Sequence, residues 1–156
     1  MRTLVKMTAV ALLVVTSLSA AARAETPREL LERIVQCKAS DQDVAKFNHM
    51  LDQNQVNFPK ASDVDVWGGA AWKLDRPIAF GGVSSDVVVM NSRKSAYIRV
   101  KSVEPRAGVI KAATELDLYK KLDEGDSLWY RRTFGNASTS ALTSDDKVSY
   151  WVGCEY

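Results

Sequence analysis

Carboxylates and one imidazole are the side chains of this sequence best suited to acid–base chemistry. Asp63 and Asp65 stand two positions apart, so on a strand they would share one face, where paired carboxylates can serve glycoside hydrolysis or hold a cation. His49 is the only histidine, and a catalytic base also needs a nucleophile and an orienting partner. Asp145 and Asp146 form a second acidic pair, without the spaced oxygen ligands of a calcium loop. A hydrolase would have to use Asp63, Asp65 and His49, whereas such carboxylates more often form turns and solvated strand edges.

The nucleophile elbow of serine hydrolases and the glycine-rich loops that bind phosphate are not found in the sequence. Serines are plentiful, but none lies in a Gly-x-Ser-x-Gly nucleophile elbow. Gly68-Gly69 and Gly81-Gly82 lack the context of phosphate-binding loops, and such pairs are typical of turns or bulges beside strands. We therefore expect no catalytic residues, no metal site and no cofactor.

The two cysteines, Cys37 and Cys154, lie towards opposite ends of the chain. In an exported protein an isolated pair is most simply a disulfide. The alternatives are a free reactive thiol and a metal ligand, and a metal site would need further ligands at suitable spacing. The sequence predicts a Cys37–Cys154 disulfide that encloses most of the chain and stabilises it by roughly 3–5 kcal/mol.

Aromatic residues supply the candidate binding surface. Adjacent residues of a strand point to opposite faces of a sheet, so Trp129-Tyr130 and Tyr150-Trp151 each place one ring on each face. This alternation along each strand places Trp129, Arg131 and Trp151 together on one face. If helices cover only the other face, these three side chains form a surface that is typical of protein-binding hot spots and that can also stack on sugars. If helices cover both faces, the rings belong to the core.

The first 24 residues have the pattern of a secretory signal peptide. Arg2 and Lys6 precede an apolar run from Met7 to Leu18, and the small-residue motif Ala22-Arg23-Ala24 follows. The run is too short to be a membrane span. We therefore expect cleavage after Ala24, a periplasmic or secreted location, and no membrane insertion after cleavage.

Length and charge limit the possible partners. Removal of 24 of the 156 residues leaves 132, which suits one domain, 25–156, with a buried core. Cleavage of the signal peptide would remove three of the 21 basic residues. The mature protein would then have 18 basic and 19 acidic residues and a formal charge of −1. A near-neutral protein without a basic block is a poor candidate for binding nucleic acid or an anionic membrane surface.

Two short helices are predicted at the start of this domain. Thr26-Pro27-Arg28-Glu29 combines an N-cap, a proline at the first helical position and a capping-box glutamate. Apolar residues then recur at three- and four-residue spacing as far as Cys37, which turns the cysteine towards the core. Ser40, with Asp43 three residues later, begins a second helix that ends in the polar run 52–55.

After about residue 64 the apolar period changes to that of strands. A break at Glu104-Pro105 precedes helical spacing from Val109 to Tyr119, and this helix is predicted to end near the Asp123-Glu124-Gly125 turn. The small polar stretch from Gly135 to Asp146 is expected to be a mobile surface loop. Strands are predicted at 64–67, 71–74, 78–80, 86–90, 96–101, 128–134 and 147–154. This order lacks regular β-α-β alternation and indicates an α+β single domain, an antiparallel sheet with the N-terminal helices and one later helix packed on it.

These features favour a non-catalytic binding protein over an enzyme. The sequence predicts a secreted or periplasmic protein whose partner is another protein in the periplasm, as for an inhibitor or an immunity protein, with Trp129, Arg131 and Trp151 as binding residues. The alternative is an envelope module for glycans, peptidoglycan fragments or small molecules, which an exposed row of coplanar rings over a groove would favour. The sequence predicts neither the oligomeric state nor the identity of the partner.

Overall fold

The computed structural model of the chain describes residues 24–64, 66 and 69–156. The predicted signal peptide, apart from Ala24, lies outside the described residues, as do Asp65, Trp67 and Gly68. Within the described part, no helix is long and apolar enough to cross a membrane.

Capping boxes begin both N-terminal helices, α1 (Pro27–Val35) and α2 (Asp41–Asp52), as the sequence predicts. In α1, Thr26 Oγ1 accepts a hydrogen bond from the Glu29 backbone N–H at 3.2 Å, and the Glu29 carboxylate accepts from the Thr26 N–H at 2.8 Å. Ser40 and Asp43 repeat this exchange at the start of α2. Each pair satisfies backbone donors that a helix start leaves without an intrahelical partner.

The sheet has seven antiparallel strands in the order β1-β2-β3-β7-β6-β5-β4. The first three strands form a meander, a third helix follows, and the last four strands form a second meander whose final strand pairs with β3. This architecture confirms the predicted α+β single domain. The strands are β1 (Ala70–Phe80), β2 (Val83–Ser92), β3 (Ser95–Lys101), β4 (Tyr119–Glu124), β5 (Ser127–Phe134), β6 (Ala137–Thr143) and β7 (Ser149–Glu155), and the third helix is α3 (Pro105–Glu115).

The hydrophobic core lies between the helices and one face of the sheet. Ile98 of β3, Val152 of β7 and Ala141 of β6 are fully buried, and they pack with apolar residues of α1, α2 and α3. The contact with α3 is especially close at Gly108, where a Cβ atom would stand 2.2 Å from the Tyr150 ring. Only glycine allows the helix to approach the sheet this closely.

The predicted disulfide between Cys37 and Cys154 is present, with the two Cα atoms 5.2 Å apart. Cys37 follows the C-cap of α1 and has a φ of 56°, and Cys154 is fully buried in β7. The bond therefore joins the end of the first helix to the strand at the middle of the sheet.

The predicted surface loop from Gly135 to Asp146 is wrong, because Ala137–Thr143 form β6, an interior strand whose residues are mostly buried. Neighbouring side chains satisfy its hydroxyl groups. Ser138 Oγ accepts from Arg131 at 3.0 Å, and Thr139 Oγ1 lies 3.1 Å from the Cys37 sulfur. A strand of small polar residues can be buried when each hydroxyl group has such a partner.

Three further elements differ from the prediction. The helix predicted to end near the Asp123-Glu124-Gly125 turn ends at Glu115, since Asp117 takes a left-handed conformation with φ 51°. Residues Tyr119–Glu124 instead form the charged edge strand β4. The strand predicted at 64–67 is not observed for Val64 and Val66, which lie outside the strands. The two strands predicted at 71–74 and 78–80 are one strand, β1, with a register shift between Lys73 and Ile78.

Candidate functional site

The candidate binding residues lie on the sheet face opposite α1, α2 and α3, here called the helix-free face. Leu142 of β6 pairs directly with Trp129 of β5 on one side and with Trp151 of β7 on the other. Directly paired residues share a face of the sheet, so the two tryptophans stand in one row across three strands. Arg131, two residues from Trp129 on the same strand, shares this face. This confirms the prediction that Trp129, Arg131 and Trp151 lie on one face of the sheet.

Arg131 is held in place by its neighbours on the helix-free face. Its Nη2 donates to Ser138 Oγ at 3.0 Å and lies 3.1 Å from a Glu155 carboxylate oxygen. Its guanidinium carbon is 5.8 Å from the centre of the Trp129 ring. These contacts fix the guanidinium beside the indole, an arrangement suited to cation–π attraction.

A tyrosine completes this network from the neighbouring strand. The Tyr97 hydroxyl donates to Glu155 Oε1 at 2.5 Å, and its ring lies 5.9 Å from that of Trp151. Burial and the adjacent Glu155 carboxylate raise the pKa of the Tyr97 phenol well above its usual range. The phenol therefore stays protonated and remains a hydrogen-bond donor at physiological pH.

The three predicted binding residues are only partly exposed. Trp129, Arg131 and Trp151 all have intermediate accessibility, while Tyr97 beneath them is 3% exposed. None of the described helices covers them. These three side chains are thus neither fully exposed to solvent nor part of the buried core.

An open cleft of about 1300 Å³ adjoins Trp151 at one end of the helix-free face. Arg99, the residue paired with Trp151 on β3, lies at its base with a side chain that is 5% exposed. Its Nε donates to Ser149 Oγ at 3.1 Å and its Nη2 to Asp146 Oδ2 at 2.8 Å. Arg99 was not predicted as a site residue, although its position between Ile98 and Val100 on an alternating strand indicates the helix-free face.

The two aspartates near Arg99 are both ionised at neutral pH. Burial by itself would raise the pKa of Asp146, but hydrogen bonds from Ser149, Arg99 and the Val148 backbone hold that pKa at about 2. A hydrogen bond from Lys101 lowers the pKa of Asp63. Asp63 lies 2.7 Å from Lys101 Nζ and 3.5 Å from Arg99 Nη1, so it is shared between the two cations.

Two buried N–H groups that line this cleft have no hydrogen-bond acceptor among the described residues. They are Nη1 of Arg99 and Nε1 of Trp151. The approach of Asp63 to Nη1 is an ion pair without hydrogen-bond geometry. Buried donors are nearly always paired in native proteins, so such groups in one place are a sign of a ligand or of ordered water.

The described acid–base candidates, Asp63 and His49, do not line a common cleft. Asp63 lies in a turn rather than on a strand, and Asp65 is outside the described residues. His49 is exposed on α2 and does not line the cleft. Among the described residues, no group of three or more histidine, cysteine, aspartate or glutamate side chains could hold a metal ion.

Comparison of the chain with protein-family models, with curated proteins and with solved structures finds no match. Function is therefore inferred from the side chains of the helix-free face and its cleft.

Proposed function

We propose that this chain is a non-catalytic, exported binding protein of the inhibitor or immunity type, whose partner is another protein in the periplasm. The contact surface is the helix-free face around Trp129, Arg131 and Trp151. The observation that supports this most strongly is the row in which Leu142 pairs with both tryptophans on a face that none of the described helices covers.

The chemistry of this row suits a protein partner. Tryptophan and arginine are the residues most enriched where truncation costs binding energy, and they act best when a rigid surround excludes water. Arg131 is already fixed by Ser138 and Glu155, so little of its side-chain freedom remains to be lost on binding. A surface that is ordered before contact binds at lower entropic cost.

Export is the second part of the proposal. The signal-like pattern of residues 1–24 supports it, and the Cys37–Cys154 disulfide is compatible with a secreted protein because such bonds persist in oxidising compartments. N-terminal sequencing of the exported form should read Glu25-Thr26-Pro27. A cytoplasmic protein that retains Met1 would contradict this part of the proposal.

A ligand-binding module of the cell envelope is the second candidate, and the cleft beside Trp151 favours it. Its volume of about 1300 Å³ is ample for a sugar or peptide fragment. Trp129 does not line this cleft, however, so the two indoles do not form one stacking platform over it. The row of tryptophans is better explained by a protein partner.

Affinity capture from a periplasmic extract with four baits tests the proposed face. The baits are the wild type, Trp129→Ala, Arg131→Ala and the control Ile110→Ala. Ile110 is 48% exposed on α3, away from the helix-free face. A genuine partner is retained by the wild type and Ile110→Ala and is lost, or bound roughly thirtyfold more weakly, by Trp129→Ala and Arg131→Ala.

Two results would contradict this assignment. Equal retention of a protein by all four baits would place its contact elsewhere on the surface. Retention by the wild type with loss in Ile110→Ala alone would place the contact on the helical side of the domain.

A further inference from the structure

We infer that the cleft beside Trp151 binds a carboxylate attached to an apolar body, and that this carboxylate takes the place of Asp63 over Arg99. The bound oxygens accept hydrogen bonds from Arg99 Nη1 and Trp151 Nε1. This site adjoins the proposed protein contact at Trp151, but Trp129 and Arg131 lie outside the cleft, and binding of the carboxylate does not depend on a protein partner.

The two unpaired donors are neighbours. Arg99 and Trp151 are directly paired in the ladder between β3 and β7, so their side chains stand side by side on the helix-free face. Both line the cleft, and both carry a buried N–H group without an acceptor among the described residues. One ligand group with two acceptor oxygens satisfies both donors at once.

Asp63 marks the position that the ligand takes. Its carboxylate already lies between Arg99 Nη1 and Lys101 Nζ, yet its side chain is 51% exposed and belongs to a turn. The pair with Lys101 is exposed on both sides, and an exposed ion pair contributes little net stability. The approach to Arg99 is 3.5 Å long and lacks hydrogen-bond geometry, so it holds Asp63 only weakly. A ligand carboxylate can replace it and also reach the two buried donors.

The charge balance of the cleft favours a carboxylate over a phosphate. Two cations, Arg99 and Lys101, face three carboxylates, those of Asp63, Asp145 and Asp146. The lining is therefore formally negative, and a dianion meets more repulsion in it than a monoanion. Arg99 and Lys101 draw the carboxylate to the base of the cleft, where the acceptors are needed.

Four valines add apolar surface to the lining of the cleft. Val103 is fully exposed and Val148 is 55% exposed, and both line the cleft together with Val64 and Val66. Valines left in water at a cleft mouth gain free energy when an apolar group covers them. The ligand class is thus an amphipathic carboxylate, such as a short acyl acid or a peptide ending in an apolar residue.

Titration with short-chain acids followed by NMR tests the site. The protein is purified with its disulfide intact and titrated with hexanoate, acetate, hexanamide or inorganic phosphate. Hexanoate should shift the indole N–H signal of Trp151, assigned with Trp151→Phe, and should bind at least roughly tenfold more tightly than any of the other three.

Matched variants separate the role of the indole N–H from that of the aromatic ring. Trp151→Phe should weaken hexanoate binding roughly tenfold or more, the loss of about one hydrogen bond to a charged group. The control Trp129→Phe removes an indole N–H that donates to Ser140 outside the cleft, and it should bind hexanoate like the wild type. Asp63→Ala should bind hexanoate several-fold more tightly, because it removes a competing negative charge.

Three results would overturn the inference. If hexanoate leaves the Trp151 signal unmoved, the two donors are satisfied by water alone. If hexanamide binds as tightly as hexanoate, the cleft is an apolar pocket without a carboxylate site. If Asp63→Ala weakens hexanoate binding, Asp63 is part of the site and is not displaced from it.

Discussion

Arg99 and Asp146 form a partly buried ion pair in which Arg99 Nη2 lies 2.8 Å from Asp146 Oδ2. The arginine side chain is 5% exposed and the aspartate 32% exposed, so the cation is more deeply buried than its partner. Asp146 also accepts from the Ser149 hydroxyl and from the Val148 backbone N–H. This one carboxylate thus holds the turn between β6 and β7 and neutralises the arginine at the base of the cleft.

The stability contributed by Asp146 depends on pH. Its pKa falls from an ordinary value of 3.8 to about 2 in the folded protein. The contribution is therefore complete above about pH 5 and is lost as the pH falls towards 2. We expect Asp146→Asn to lower the free energy of unfolding by roughly 3 kcal/mol at pH 7, because it leaves Arg99 incompletely paired.

The same variant tests the direction of the pKa shift. The difference between Asp146→Asn and the wild type should narrow by about 1 kcal/mol between pH 7 and pH 3, as measured by urea unfolding. Asp145→Asn is the matched control, since no ion pair or hydrogen bond of the Asp145 side chain is observed in the described part of the chain. A difference in unfolding free energy between Asp146→Asn and the wild type that stays constant with pH would contradict the lowered pKa of Asp146.

The helix starts were predictable because a capping box is a local signal that needs no tertiary information. The strand β6 was not, because its residues, Ala-Ser-Thr-Ser-Ala-Leu-Thr, have the composition of a loop. Burial of Ser138 and Thr139 depends on Arg131 and on Cys37, which lies 102 residues from Thr139. A sequence pattern read locally does not contain those partners.

The candidate site was predictable in part for a similar reason. Alternation along a strand places Trp129, Arg131 and Trp151 on one face, and β5 and β7 follow that alternation. The cleft required knowledge of pairing, because Arg99 and Trp151 become neighbours only when β3 and β7 meet at the middle of the sheet. The two meanders are separated by α3, so consecutive hairpins alone do not indicate that pairing.

The disulfide should make a large contribution to stability. Cys37 and Cys154 are 117 residues apart, and in the chain-entropy model a loop of this length restricts the unfolded state by roughly 4–5 kcal/mol. We expect the double variant Cys37→Ala/Cys154→Ala to lose about 2–5 kcal/mol of unfolding free energy in urea. Dithiothreitol should destabilise the wild type and leave the double variant unchanged; equal stability of the oxidised wild type and the double variant would contradict the expectation.

Gly108 should be intolerant of even a methyl group. A Cβ atom at this position would stand 2.2 Å from Cε1 of Tyr150, so Gly108→Ala is expected to cost roughly 2–3 kcal/mol although alanine favours helices. Chemical denaturation measures the loss.

A second substitution shows whether the Tyr150 ring is the cause. In a Tyr150→Leu background the space is larger, and Gly108→Ala should become neutral or stabilise by up to about 1 kcal/mol. Ala107→Gly, at the exposed neighbouring position, measures the intrinsic preference of α3 for alanine. An unchanged cost of Gly108→Ala in the Tyr150→Leu background would assign the strain to another contact.

Trp129 should matter more for binding than for folding. It has intermediate accessibility on the helix-free face, whereas Trp72 is 7% exposed and packs in the core against Phe47 and Phe58. We expect Trp72→Ala to lower the free energy of unfolding by about 3–5 kcal/mol and Trp129→Ala by about 1–2 kcal/mol. Thermal melts separate the two variants before any partner is known, and a captured partner should bind Trp129→Ala with about 2 kcal/mol less free energy. If Trp129→Ala melts as early as Trp72→Ala, the ring belongs to the core, and the helix-free face loses its first binding residue.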